Sequence, residues 1–120
     1  MIYFVFTLIL FNFQTDSIRT GQFIEIEHDV VGTVTVAVKN DQLLISFSAN
    51  FETDEGPDLF VMLSSAADEH QKSDMQVAAL QRFEGEQRYT INGISIKQFG
   101  FVQIWCKEYD VVFGSAKLSD

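Results

Sequence analysis

Apolar and polar side chains alternate along two neighbouring stretches of the chain. Valine occupies every second position of residues 33–38, and threonine or alanine fills the positions between. Residues 43–47 continue the alternation after Asn40-Asp41, and these two residue types favour turns. A period of two is typical of a β-strand with one buried face, so residues 33–47 predict a hairpin.

Further short apolar stretches follow, separated by Gly, Asn and Asp. Residues 59–63 alternate again and residues 87–91 resemble a strand, whereas residues 101–107 are apolar at both parities, as expected for a strand covered on both faces. Residues 75–80 fit either a short strand or one helical turn, and the polar residues 64–74 predict an exposed loop. Many short strands with little helix predict a single all-β domain, either an antiparallel β-sandwich or a flattened barrel.

The first 17 residues differ from the rest of the chain. Residues 2–13 are almost wholly apolar, have about the length of the hydrophobic region of a signal peptide, and precede a polar segment. We expect residues 1–17 to be a signal peptide or a hydrophobic anchor, with a buried strand as the alternative. No apolar run reaches the roughly 18 residues of a membrane-spanning helix. We therefore expect membrane attachment only through an N-terminal anchor and an extracytoplasmic body (periplasmic, cell-surface or secreted).

The acidic net charge of the chain excludes one class of binding partner. Acidic residues number 17 and basic residues 8 among 120, which gives a formal net charge of −9. Proteins that bind the phosphates of nucleic acids need a basic face, so we expect no nucleic-acid partner. The sequence also lacks the glycine-rich phosphate loops, the GxSxG motif and the HExxH motif.

Few residues are candidates for chemistry. Cys106 is the only cysteine, which excludes an intramolecular disulfide, and it is either a small buried hydrophobe or a reactive thiol. A reactive thiolate needs nearby positive charge, and Lys107 is adjacent. His28 lies among acidic residues, and His70 lies in the polar loop, where a solvated side chain is expected. The spacing of Cys, His and Met does not fit a copper site, and the acidic residues 52–58 resemble a solvated turn, so we assign no metal site.

Three segments and the opening of the body resemble a known family. They read GQFIEIEHDVVGTVTV from Gly21, GPDLFVMLS from Gly56, FEGEQRYTI from Phe83 and VQIWCKEYDVVFGSAKL from Val102. Their order and spacing resemble the electron-transfer DM-thirteen domain, which accompanies DOMON domains in Skeletor-type proteins and occurs in bacterial secreted proteins. The resemblance covers residues 21–118.

The positions that match the family pattern are mostly glycines and polar residues: Gly21, His28, Gly32, Gly85, Gln87, Tyr89 and Cys106. The chain departs from the pattern before the Gly-x-Gln-x-Tyr motif, where Arg82-Phe83-Glu84-Gly85 replaces the more usual Leu-Lys-Gly stretch. This departure affects no residue to which we assign chemistry.

The resemblance implies a secreted or periplasmic β-sandwich-like domain with one characteristic cysteine, which matches Cys106. The role proposed for the family is redox or electron transfer, through the bare thiol or a bound prosthetic group such as haem. Cys106 is then the candidate redox thiol, Cys106 and His28 are the candidate ligands of a cofactor, and a redox protein is the expected partner. We expect Cys106 to be partly accessible, with His28 a short distance away.

Two other functions stay open: a non-catalytic β-sandwich that binds a protein or glycan at the cell surface, and a structural domain. Asp58, Trp105 and Tyr109 are the candidate contacts for binding. Because Asp58 follows a Gly-Pro pair, its carboxylate is expected to accept hydrogen bonds from turn amides, and stability is expected to depend more on Asp58 than on Asp54. The sequence leaves open whether the protein is an enzyme and how it oligomerises.

Overall fold

The computed structural model describes residues 17–93 and 99–119, and every regular element in these ranges is a β-strand. The strands are β1 (Ile18–Glu25), β2 (Val30–Val31), β3 (Thr33–Lys39), β4 (Gln42–Phe47), β5 (Glu52–Thr53), β6 (Leu59–Ser64), β7 (Met75–Ala79), β8 (Gln87–Asn92), β9 (Phe101–Cys106) and β10 (Val111–Lys117). The all-β prediction is confirmed. The expected signal peptide or anchor lies outside the described residues, apart from Ser17.

The predicted hairpin forms between β3 and β4. Val34 lies opposite Phe47 and Val36 opposite Ile45, and all four side chains are buried on one face. The connecting residues Asn40-Asp41 both have positive φ, which matches the right-handed twist of the two strands and suits Asn and Asp. The alternation of the sequence thus becomes one inward and one outward face.

The strands form a single antiparallel sheet that nearly closes into a flattened barrel. Its order is β7-β6-β9-β10-β1-β3-β4-β8, and β2 pairs with β5 in a separate two-stranded ladder. Strand β1 joins the two halves of the large sheet, because residues 18–22 pair with β3 and residues 23–25 pair with β10. A strand that passes from one half to the other makes the corner at which the sheet folds over its core.

One hydrophobic core lies between the two halves. Val36 and Ile45 from one half belong to the same buried cluster as Val61 and Ile104 from the other, and all four are fully buried. Rings of phenylalanine fill one end of this core, with Phe23, Phe47 and Phe51 in mutual contact at centroid distances of 4.6 to 5.4 Å. These aromatic pairs supply a large apolar area in a domain that has no disulfide.

Strand β9 is covered on both faces, as its sequence predicts. Val102, Ile104 and Cys106 face the main core, whereas Trp105 belongs to a second cluster on the outer face with Met62 and Val112. A polar segment from residue 65 to residue 74, hereafter the 65–74 strap, lies between β6 and β7.

The strap agrees in part with the exposed loop that we expected for residues 64–74. Residues 65, 68–70, 72 and 73 are exposed, whereas Ser64 is buried at the end of β6 and the Asp74 side chain is completely buried. The Gln103 amide of β9 also donates to the carbonyls of Ala66 and Glu69 in the strap. Residues 75–80, left open between strand and helical turn, contain β7, which pairs with β6.

Candidate functional site

Cys106 ends β9 and is 0% exposed. Its backbone lies between Leu59 of β6 and Val111 of β10, and its thiol donates a hydrogen bond to the Pro57 carbonyl at 3.1 Å. The expectation of partial access is therefore wrong. The thiol is buried because strands flank it on both sides and Pro57, itself exposed, covers its end.

The segment that covers the thiol is Gly56-Pro57-Asp58, hereafter the GPD loop. A Cβ atom at Gly56 would lie 2.6 Å from the Phe113 ring, so only glycine lets the loop pack this closely. Asp58 has a φ of 58°, and its carbonyl accepts a hydrogen bond from the Lys107 N–H at 3.1 Å. The loop is thus held against the β9–β10 turn and fixes the position of the Pro57 carbonyl.

The two aspartates of this region have roles opposite to those we expected. The Asp58 side chain is exposed, and its carboxylate has no hydrogen-bond partner among the described residues. The Asp54 carboxylate accepts from the Asp29 N–H at 3.2 Å and contacts His28 Nδ1 at 3.3 Å. Asp58 therefore contributes through its backbone, which adopts a positive φ in the loop, whereas Asp54 contributes through its side chain.

His28 lies near the GPD loop, but its ring contacts Asp54 and Phe113 and not the Cys106 thiol. Its Nδ1 contacts Asp54, and its ring packs on Phe113 with the centroids 4.0 Å apart. Phe113 in turn lies against Gly56. His28 is thus linked to the GPD loop through Phe113, and it is exposed.

This arrangement does not fit a haem held by Cys106 and His28. Axial ligation needs both side chains to point into one cleft large enough for the macrocycle. The Cys106 sulfur is enclosed and bonded to Pro57, whereas the His28 ring lies against Phe113. Three surface clefts of the described residues are lined by other side chains.

The cation that the sequence offered to activate the thiol, Lys107, is not directed at Cys106. The ammonium group of Lys107, the nearest cation in sequence, lies 5.6 Å from the centre of the Phe60 ring on the outer face. Two acidic residues near Lys107 are exposed: Glu108, which follows it in the chain, and Asp58, whose carbonyl accepts from its N–H. Reactive cysteines occur in electropositive, partly exposed surroundings, so the described conformation holds the thiol in an unreactive setting. In the described ranges, moreover, no three His, Cys, Asp or Glu side chains come together as a metal site.

The two aromatic candidates for binding differ in access. Trp105 is 6% exposed because the His70 ring stacks on it at 4.0 Å, and its indole N–H donates to Asp110 at 3.1 Å. Tyr109, at the tip of the β9–β10 turn, is 67% exposed. Tyr109 and the Asp58 carboxylate are therefore available to a partner, whereas little of the Trp105 indole is.

Gln87 and Tyr89 of the Gly-x-Gln-x-Tyr segment form a buried hydrogen-bond network, hereafter the Gln87–Tyr89 network. The Tyr89 hydroxyl donates to Gln87 Oε1 at 2.5 Å and accepts from the Gln81 N–H, and the Gln87 amide donates to the carbonyls of Arg82 and Gly85. Burial raises the pKa of the Tyr89 phenol, and the Gln81 hydrogen bond and the Arg82 charge oppose that rise. The Gln87–Tyr89 network holds the chain segment before β8 in place and includes no contact with Cys106.

Sequence reasoning missed a cluster on the outer face. His70, expected to be solvated, contacts the buried Asp74 carboxylate at 3.1 Å and stacks on Trp105. Ser64 donates to the same carboxylate. No local pattern distinguishes these residues from an ordinary polar loop, because the partner of His70 on β9 is 35 positions away in the chain.

The chain is an all-β domain in which antiparallel strands enclose one core. Its lone cysteine lies beneath the GPD loop. The model of the family described as electron transfer DM13 matches residues 22–118, and the chain belongs to this family. The resemblance inferred from the sequence is confirmed. No curated protein and no solved structure matches the chain. None of the described residues forms a helix long and apolar enough to cross a membrane.

Proposed function

We propose that this chain is an extracytoplasmic electron-transfer domain whose redox centre is the Cys106 thiol. The observation that carries the proposal is the match of the electron-transfer family over residues 22–118, a range that includes the only cysteine of the chain. The contact between the thiol and the exposed Pro57 supports it, because it leaves the sulfur only one residue beneath the surface.

The chemistry that suits a lone thiol is exchange with the disulfide of a partner protein. The Cys106 thiol gives its proton to water, its sulfur attacks one partner sulfur, the partner S–S bond breaks, and the second partner sulfur leaves as a thiolate. Because the chain has no second cysteine, the mixed disulfide lasts until an external thiol reduces it. The GPD loop has to move first, since Pro57 covers the sulfur.

The extracytoplasmic location rests on the sequence. Residues 2–13 have the length and the apolar composition of a signal-peptide core, and the family resemblance is to secreted proteins. Cell fractionation of the native host, with antibody detection of the chain, tests this part of the proposal. Detection only in the cytoplasmic fraction would exclude an extracytoplasmic function.

The redox role is tested with Cys106→Ala and Cys106→Ser beside Val102→Ala. Val102 is a fully buried neighbour on the same face of β9, so its truncation removes packing and leaves the thiol intact. Electron-transfer activity in the native host is measured for each variant, together with its melting temperature. We expect both Cys106 variants to lose activity and Val102→Ala to retain it at comparable stability.

Reaction with an aromatic disulfide reagent gives a direct readout of the thiol. We expect the folded wild type to release the coloured thiolate far more slowly than the urea-unfolded protein, because the GPD loop must open. If Cys106→Ala is fully active and loses only thermal stability, Cys106 is a packing residue and the redox proposal fails.

One observation favours a second function, a non-catalytic binding or structural domain at the cell surface. Cys106 is completely buried and its thiol is hydrogen-bonded, which is typical of a cysteine that packs a core. In that case Tyr109 and Asp58 are the accessible candidate contacts, and Tyr109→Ala would weaken capture of a surface partner while leaving the fold unchanged. Full activity of Cys106→Ala would select this alternative.

A further inference from the structure

One histidine, His70, joins the 65–74 strap to the outer face of β9. The Nδ1 atom of His70 lies 3.1 Å from Asp74 Oδ2, and the ring stacks on Trp105 at 4.0 Å with only 14° between the two planes. The His70 side chain is 30% exposed and the Asp74 side chain 0%. The imidazole therefore lies between a buried carboxylate and an indole face.

The other contacts that hold the strap are hydrogen bonds that do not involve histidine. The Asp74 carboxylate accepts hydrogen bonds from the Ser64 hydroxyl at 2.5 Å and the Gln71 N–H at 2.9 Å. The Gln103 amide donates to two strap carbonyls, at 2.6 and 3.1 Å. These hydrogen bonds keep the strap attached in both protonation states of His70, so only one contact of the strap changes with pH.

The two protonation states of His70 interact differently with their neighbours. The imidazolium form gains an ion pair with Asp74 and a cation–π interaction with the indole face. The neutral form keeps the stacking and at most one hydrogen bond to the carboxylate. Because the carboxylate is buried, solvent screens this ion pair less than it screens the exposed pair of His28 and Asp54.

We propose that protonation of His70 tightens the 65–74 strap over Trp105, which gives the domain a pH-sensitive cover on the back of the strand that carries Cys106. The charged groups around the ring are Asp74 within the strap and Asp110, which accepts the indole N–H from the other side of Trp105. Glu69 and Lys72 flank the ring along the strap and are exposed. The cover is closed most firmly when His70 is in the imidazolium form and loosens when the ring loses its proton.

Fluorescence tests the contact, because Trp105 is the only tryptophan in the chain. A stacked imidazolium quenches indole emission more strongly than a neutral imidazole, so emission of the intact protein is expected to rise between pH 5.5 and pH 8. His28→Gln is the matched control, since His28 also pairs with an aspartate and packs on an aromatic ring. We expect the transition to persist in His28→Gln and to vanish in His70→Gln.

Hydrogen exchange tests the strap itself. Protection factors, which are corrected for the intrinsic pH dependence of exchange, are expected to fall about three- to tenfold within residues 65–74 between pH 5.5 and pH 8. Those of β3 and β4 should stay constant. Asp74→Asn provides a second variant if His70→Gln folds poorly, and it should abolish the pH dependence. A transition that survives in His70→Gln, or equal protection of the strap at both pH values, would overturn the proposal.

Discussion

Replacement of Gly114 by alanine tests whether this glycine, which lies within the last segment that resembles the family, is required by close packing. Gly114 is buried in β10, next to an irregularity in the pairing with β9. A Cβ atom placed there would lie 2.6 Å from Val30 Cβ and 2.7 Å from the Ile24 carbonyl oxygen. Both distances are shorter than normal carbon contacts, and the carbonyl belongs to the β1 backbone, which cannot move aside as a flexible side chain would.

The expected cost follows from this crowding. Overpacking a well-packed site costs about 1–3 kcal/mol, a large part of the roughly 5–15 kcal/mol that stabilises a typical domain. For a domain of this size the melting temperature should fall by roughly 5–20 °C. The strain lies at the junction where β1 and β10 pair, so we expect a loss of stability with the fold retained.

Urea unfolding followed by Trp105 emission measures the loss. Gly100→Ala is the control, because a Cβ atom there meets no described atom within 4 Å, and its φ is not one that alanine avoids. We expect Gly100→Ala to match the wild type or to gain about 0.4–1 kcal/mol through reduced entropy of the unfolded chain. If Gly114→Ala unfolds at the same urea concentration as Gly100→Ala, the argument from close packing is wrong.

Two further perturbations follow from the same structure. Because the φ of Asp58 is positive, Asp58→Ala should cost about 1 kcal/mol of stability, whereas asparagine or glycine should be tolerated there. Asp54→Ala should cost about as much, because its carboxylate loses hydrogen bonds. Chemical unfolding that showed Asp58→Asn to be as damaging as Asp58→Ala would contradict the argument from φ. Because burial raises the folded-state pKa of Tyr89, the unfolded chain releases this proton first, so stability should fall as the pH rises above about 10. Tyr89→Phe should flatten that alkaline loss but cost about 1–2 kcal/mol at neutral pH, because Gln87 and the Gln81 N–H lose their partner; an unchanged alkaline slope in thermal melts would refute the assignment.

Local patterns in the sequence predicted several of the strands and many of the side chains that fill the core. Alternation at residues 33–47 and 59–63 predicted which side chains point inward, because successive residues of a strand face opposite ways. The double-sided apolar pattern of residues 101–107 likewise predicted a strand covered on both faces. Asn40-Asp41 predicted the turn, since both residues tolerate positive φ. These properties depend on neighbours within a few positions along the chain.

The environment of each candidate side chain depends on contacts between segments that are distant in the chain. Cys106 is buried because Pro57, 49 positions earlier in the chain, covers its sulfur, and Trp105 is covered by His70 from a different segment. Asp54 and Asp58 are both acidic residues of one turn, yet their roles differ because one faces His28 and the other has left-handed backbone geometry. Exposure and hydrogen bonding depend on which distant segments meet, and the strand order that brings them together is a property of the whole sheet.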